Sequence, residues 1–352
     1  MKENNKKETS KDKDRVSVVF SALDKSWEDN IIKPDEIKNG EMMVWGDGNQ
    51  YPKYLHDLYE SVATLQSVIN GTVDYICGSE VKADKPNPKS DMETLVRCLA
   101  LDLLKYGGFS FNVIKNAFGK VTDVYYLDFK SLRSDENNTS FWYSKKWEKY
   151  HTKALKYPAY TPDGDDKSSV YYFKLNSPNT TYPRPLWAAS VIACEIEKEI
   201  DRFHLNNIHN GFTPSYIINF LNGIPSDEVR EEIEYDIMEK FTGSDNAGRF
   251  ILNFASDKDH ATSVEKIEVS DFDKQYESLS KRSRQQIFTA FRANPNLFGI
   301  STDNIGFSKE EYKDCFELYN NTTVIPLRRH ILTAIQEILG IAVQITPFEI
   351  TE

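Results

Sequence analysis

The chain has no long apolar run, no excess of positive charge and no paired cysteines, and each lack removes a class of function. Its longest nearly uninterrupted apolar stretch, Pro185 to Cys194, is about half of the ~20 residues a helix needs to cross a bilayer, so no membrane segment is expected. With 43 Lys+Arg against 54 Asp+Glu the net charge is −11. That balance argues against wrapping nucleic acid by neutralising phosphates and leaves only a loose, non-specific meeting with DNA. Cys77, Cys98, Cys194 and Cys315 lie far apart with no C-x-x-C pair. The usual zinc and redox spacings are therefore missing, and reduced packing residues are expected. There is no G-x-x-x-x-G-K-[ST], H-E-x-x-H or G-x-S-x-G, and GSDNAG lacks the lysine and following helix of a phosphate cradle. No cofactor and no metal are expected. His204 and His209 stand five apart, the wrong spacing for a ligand pair on a helix, and read as surface residues. MKENNKKETSKDKDR at the start has no apolar core of a secretory signal. The expectation is synthesis and use in a cytoplasm, where the N-x-[ST] matches carry no meaning.

What is present is a globular composition, 39% hydrophobic with 12% aromatics over 352 residues, enough for two or three packed units. The first 15 residues are polar without apolar periodicity and read as a mobile arm. Leu55, Leu58, Tyr59, Val62, Leu65, Val68 and Ile69 recur at helical spacing after a turn-rich stretch. A second helix is expected from about Asp91 to Lys105. FSFNVIKNAFGKVTDVYYLDF alternates around an Asn-Ala-Phe-Gly turn, a hairpin pattern. Phe141–Tyr150 and Ser169–Leu175 read as further strands, so residues 40–184 form one α+β domain.

Two long charged helices follow, each with a thin apolar stripe. The first spans about Pro185 to Asn210 on the line Ile192, Ile196, Ile200 and Phe203, with Glu195, Glu199 and Arg202 at neighbour spacing for weak surface pairing. The second starts at Ser270 as an N-cap with Asp273 three residues on, and ends at Ala293 before Asn294-Pro295. Between them lies an insert with strands YIINFLN and RFILNF around a helix from Ser226 to about Phe241. From Ile224 to Asn246 that insert carries eight acids against two bases. Helices from Lys309 to about Asn320 and from Leu327 to Leu339, split near Pro326, complete the chain. The thin stripes suit helices that pack against copies of themselves.

Five stretches, WGDGNQYPKYLHDLYESVATLQSVINGTVDYICG, HNGFTPSYIINFLNG, FTGSDNAGRFILNFA, DFDKQYESLSKRSRQQIFTAFRANPNLFGI and VIPLRRHILTAIQEIL, in this order and spacing, resemble the portal proteins of tailed bacteriophages. The resemblance implies an α+β, portal-like fold. It comprises a flexible arm (1–39), a wing (40–184), stem helix 1 (185–210), a small α/β clip (211–269), stem helix 2 (270–294), a tunnel loop (295–308), and a tunnel helix with a short helical C-terminal crown (309–352). It also implies a homo-oligomeric ring, usually of twelve, at one capsid vertex of the virion, assembled in the host bacterial cytoplasm. Double-stranded DNA would pass non-specifically through the ring, and the terminase motor, the head-tail adaptor and the major capsid protein would be its partners. Energy would come from the motor, so no enzyme activity is expected.

Carried onto this sequence, Asn296, Leu297, Phe298, Ser301, Asp303 and Asn304 belong to a DNA-facing tunnel loop; the other reading has Leu297 and Phe298 anchoring that loop in the wing core. Glu195, Glu199, Arg202, Lys281, Arg282 and Arg284 belong to a stem that faces either the channel or the neighbouring copy. Glu228, Glu231, Glu232, Asp236 and Glu239 form either a clip docking surface or an ordinary solvated helix face. The alternatives are another self-assembling head or adaptor protein and, more remotely, a metal-dependent nuclease. Against the nuclease, Glu228, Glu231 and Glu232 fall opposite Val229 and Ile233 with no converging His or Lys.

Overall fold

The computed structural model describes residues 15–18, 32–147, 153–175, 179–209, 216–220, 225–229, 231–233, 250–255, 270–300 and 309–348. They fall into two compact units, Asp29–Lys198 with Leu279–Glu352, and Met1–Glu28 with Glu199–Ser278. The helices are α1 (Tyr51–Ser61), α2 (Ala63–Cys77), α3 (Met92–Tyr106), α4 (Val191–His209), α5 (Ser270–Phe291), α6 (Lys309–Tyr319) and α7 (Ile325–Leu339). The strands are β1 (Arg15–Val18), β2 (Glu36–Asn39), β3 (Met42–Trp45), β4 (Glu80–Lys82), β5 (Gly108–Lys115), β6 (Val121–Tyr126) and β7 (Leu132–Ser134). They continue with β8 (Ser140–Tyr143), β9 (Leu155–Pro158), β10 (Ser168–Lys174), β11 (Tyr216–Phe220), β12 (Phe250–Ala255) and β13 (Gln344–Thr346).

In the larger unit the expected 55–69 helix divides at Val62, which adopts extended backbone (φ −108°, ψ 104°) and is itself buried. The break lets α1 bury Leu55 and Leu58 while α2 buries Leu65, Val68, Ile69 and Ile76 on a different line. Asp91 caps α3 by accepting from the Thr94 N–H at 2.7 Å, and Leu95, Val96, Leu99 and Leu103 fill the core. The expected hairpin forms as β5 and β6, with β10 on the other side of β5, so the antiparallel order is β10-β5-β6. Phe111 faces Tyr171 across this sheet and their rings stack at 4.7 Å, a cross-strand aromatic pair. The buried Lys115 ammonium donates to the carbonyls of Thr161, Pro162 and Gly164 at 2.7–2.9 Å, which ties the 161–164 turn to the sheet.

β2 pairs with β3 in a hairpin, and in the smaller unit β1 pairs antiparallel with β12, which in turn runs parallel to β11. Stem helix 1 starts later than Pro185. A 3₁₀ turn, Ala188–Ser190, precedes Val191 because Trp187 is drawn into the core, where its indole N–H donates to the Leu104 carbonyl at 3.0 Å.

Ser270 is the first residue of α5, and the helix ends at Phe291 rather than Ala293. Arg292 takes a left-handed conformation (φ 55°), with Arg292 N–H bonded to the Thr289 carbonyl and Ala293 N–H to the Phe288 carbonyl, both at 3.0 Å. This is a Schellman closure that needs no proline. The split expected at Pro326 is instead a π-helical turn, Asn320–Val324, that joins α6 to α7. Ile325 N–H reaches back to the Asn320 carbonyl, so the ladder shifts register just before the residue that has no N–H.

Helix α7 buries Leu327, Ile331, Ala334, Ile335 and Ile338 in the main core, and β13 returns to pair with β4. Gly78 allows that return, since a Cβ there would sit 2.2 Å from the Thr346 carbonyl oxygen.

Candidate functional site

The segment after α5 opens with Asn294, whose side chain accepts from the Asn296 N–H at 3.0 Å and caps the 3₁₀ turn Pro295–Phe298. The Leu297 side chain is 6% exposed and its carbonyl accepts from the Tyr75 hydroxyl at 2.9 Å. Phe298 packs edge-on to Tyr75 at 6.0 Å and to Tyr319 at 5.8 Å. Gly71 leaves room for that ring, because a Cβ there would lie 2.7 Å from it. Leu297 and Phe298 therefore anchor the segment, as the alternative reading had it, with Leu297 buried and Phe298 half-buried among Tyr75, Phe288 and Tyr319. Asn296 is half-buried. Ser301, Asp303 and Asn304 lie outside the described residues.

Helix α4 sorts its side chains against hydrophobicity. Glu195 and Glu197 are 9% and 5% exposed, whereas Ile192 is 62% and Leu205 53% exposed. Of the apolar line expected from spacing, Ile200 is buried and Phe203 stands 40% exposed, packed on Tyr276 at 4.7 Å. The expected surface pairing is half present. Glu199 and Arg202 pair at 2.9 Å, but Glu195 turns inward and its carboxylate meets Lys198 at 3.1 Å. One Glu195 oxygen lacks a hydrogen-bond partner, and so does the neighbouring Tyr54 hydroxyl. Burial first, and then the Glu195 charge, push the Tyr54 phenol far above its ordinary range.

The Glu197 carboxylate accepts from the Thr64 hydroxyl at 2.6 Å and lies 3.7 Å from the Arg284 guanidinium. Between these carboxylates the buried Cys194 thiol is pushed up to about 12, by burial and then by Glu197 and Glu195. Lys281, Arg282 and Arg284 are exposed on α5, and Arg282 opens on a cleft of about 460 Å³ with Gln285, Gln286, Thr289 and Ser190.

In the smaller unit, residues 227–229 and 231–233 are helical, and Glu228, Glu231 and Glu232 are exposed. Val229, expected on the inner face, is itself 43% exposed. Asp236 and Glu239 lie outside the described residues. His204 is exposed, as its spacing suggested.

Two buried charged clusters were not anticipated. Asp102 accepts from the Tyr126 hydroxyl at 3.0 Å and the Phe129 N–H at 3.1 Å, and burial followed by the nearby Asp128 charge pushes its carboxyl up. Lys105, three residues on, sits 2.8 Å from His56 Nδ1 and 4.2 Å from the Tyr59 ring centre, with burial pushing its ammonium down. The only signal in sequence is a lone acid inside the apolar run LALDLLKY. Arg133 is 2% exposed and donates to Asn49 and to the Lys130 and Leu132 carbonyls, with Trp45 and Trp147 on its faces. Burial lowers its guanidinium to about 10. No carboxylate among the described residues pairs with it, and its role is to pin the Asp47–Asn49 turn to β7.

Among the described residues no cluster of three or more His, Cys, Asp or Glu side chains is arranged to hold a metal, and no helix is long and apolar enough to cross a membrane. The family model described as phage portal protein matches residues 79–345. A curated relative, the "Probable portal protein" of Haemophilus phage HP1, is 22% identical over 276 residues, covering 77% of this chain and 76% of its own. An uncharacterised protein of Rickettsia bellii is 27% identical over 163 residues, covering 46% of this chain and 40% of its own. In fold, the chain is similar to a protein from the virion of a native gene transfer agent particle, with TM-score 0.57 at 15% identity over 87% and 86% of the two chains. It is likewise similar to one from the neck of an empty gene transfer agent particle, with TM-score 0.54 at 15% identity over 83% of each chain. A mixed α+β fold of this kind, with long charged helices α4 and α5, and a family match across most of its length, places the chain in the phage portal protein family.

Proposed function

We propose that this portal protein assembles into a closed ring, of about twelve copies, whose central channel passes double-stranded DNA into and out of the capsid at one vertex of the virion. The observation that carries the reading is α4, which turns Ile192 outward at 62% exposure while burying Glu195 and Glu197. A face of that kind suits a heterologous contact with the next copy, and such contacts close by rotation. The net charge of −11 suits a conduit, since tight phosphate contacts would hold DNA that must slide.

In this reading residues 40–184 are the wing, 185–210 and 270–294 the stem, 211–269 the clip, and 295–308 the loop toward the channel, held at its base by Leu297 and Phe298. Asn296, Ser301, Asp303 and Asn304 are its DNA-facing residues. The exposed acids Glu228, Glu231 and Glu232, continued by Asp236 and Glu239, form the docking surface for the terminase motor and the head-tail adaptor. The wing side meets the major capsid protein. The ring assembles in the host cytoplasm, uses no cofactor, and takes its energy from the motor.

Mass photometry of purified protein tests the ring: twelve copies of 40.6 kDa give about 490 kDa, and monomer or dimer alone across salt and pH would overturn the reading. Removing residues 300–306 tests the loop. Ring assembly is expected to survive while packaging in an infection assay falls sharply; loss of the ring itself would make the segment an intersubunit packing element instead.

A further inference from the structure

The hairpin between β5 and β6 ends in an aromatic side chain with nothing to pack on. Phe118 is 94% exposed. Its backbone is not loose: Asn116 Oδ1 accepts from the Phe118 N–H at 2.9 Å and the Lys120 N–H at 3.1 Å, and Asn116 N–H donates to the Lys120 carbonyl at 2.9 Å. A phenylalanine left in water forgoes roughly 1.5–3 kcal/mol of burial, and a rigid turn holds this one out. Lys120, beside it, is exposed and has no ion-pair partner among the described residues.

Elsewhere on the same unit is a cleft of about 560 Å³ lined mainly by aromatic and aliphatic groups, among them Phe141, Tyr160, Val170, Tyr171, Tyr172 and Ile338. One carboxylate stands on its wall, that of Glu337, exposed and also without an ion-pair partner among the described residues. The chain's own Phe118 does not fill this cleft. Tyr171 is opposite Phe111 in register, and the five residues from there to the turn at Asn116 span about 16 Å of strand.

We propose that the hairpin tip docks into this cleft on the neighbouring copy, with the Phe118 ring between Tyr160, Tyr171 and Ile338 and the Lys120 ammonium against the Glu337 carboxylate. A projecting knob and a separate complementary hole on one chain make a heterologous contact, the type that closes rings. The single charges are opposite in sign, one at the knob and one at the hole. The inference rests on the ring reading and adds to it a contact through the β-sheet, away from α4 and α5.

Phe118→Ala leaves the subunit folded, since the ring touches nothing in its own chain, and is expected to lower the ring fraction at fixed subunit concentration at least tenfold in mass photometry. Lys120→Glu and Glu337→Lys are each expected to do the same, and the reversed pair together to restore rings. Carbodiimide coupling of wild-type rings mixed from light and heavy isotope-labelled copies should yield a peptide joining Lys120 of one copy to Glu337 of another. Rings of normal yield in all three single variants, with no such peptide, overturn this contact and leave the ring reading standing. Normal rings that fail only to enter capsids assign the tip to another protein and overturn it as well. A wild-type protein that never leaves the monomer overturns both.

Discussion

Helices α4 and α7 are built from similar shares of apolar residues and bury opposite kinds of side chain. Along α7, Leu327, Ile331, Ala334, Ile335 and Ile338 go inward while Arg329, Thr333, Gln336 and Glu337 face water. Along α4, Glu195 and Glu197 go inward with Cys194 and Ile200, while Ile192, Phe203 and Leu205 stand out beside Glu199 and Arg202. The first helix sorts its faces by hydrophobicity against the subunit's own core. The second gives its buried carboxylates partners in Lys198, Thr64 and Arg284, leaves one Glu195 oxygen unbonded, and turns apolar side chains outward. On the proposed ring reading, burial in a single subunit tracks hydrophobicity only where that subunit is the finished object.

The contrast can be tested from its strongest side first. Ile331→Ala should lower subunit stability in denaturant unfolding by about 2–5 kcal/mol, the usual range for a fully buried site. Glu197→Ala should cost about 1–3 kcal/mol by leaving the buried Thr64 hydroxyl without its acceptor. Stability unchanged in that variant would mean the inward carboxylates are tolerated rather than used.

Asp102, on the conventional helix α3, supplies a pH test. Its folded pKa is raised by burial, so its contribution is full below the unfolded value near 4 and is lost as pH rises. The loss is at most about 1.4 kcal/mol for each unit crossed. Asp102→Asn should flatten that decline in thermal unfolding measured from acid to alkaline pH, and a decline of the same slope in the variant would assign it to another group. Smallest of all, Ile192→Ala and Arg202→Ala should each move subunit stability by about 0.5 kcal/mol or less. Ile192→Ala should nevertheless weaken assembly, and an Ile192→Ala subunit as unstable as Ile331→Ala would erase the distinction between the two helices.

Features fixed by neighbours in sequence were legible beforehand. The start of α3 near Asp91, the Asn116–Gly119 hairpin turn and the apolar line of α2 follow from local chemistry, and so does the Glu199–Arg202 pair. Features fixed by partners far along the chain were not. Val62 breaks a helix that its spacing would continue, because α1 and α2 must reach different parts of one core. Glu195 turns inward under Tyr54, 141 positions earlier in the numbering. The return of β13 to β4 depends on a glycine at position 78. For the candidate site, polarity and a proline correctly marked a turn after Asn294, but only tertiary packing reveals that Leu297 and Phe298 are its anchor. The value of Phe118 is likewise invisible in a hairpin pattern, where an aromatic at the tip looks like any other.

The π turn at Asn320–Val324 amounts to one surplus residue spliced into an otherwise continuous rod. Each residue of an α-helix turns about 100°, and the wide turn absorbs that surplus, so Leu327, Ile331 and Ile338 stay in phase with the core. Deleting one residue within the turn should therefore restore ordinary winding and leave those side chains on the core face, whereas a deletion further along α7 would rotate everything after it by that angle. A relative that lacks the turn would align with this chain through a one-residue gap, and the place to put it is written in the backbone.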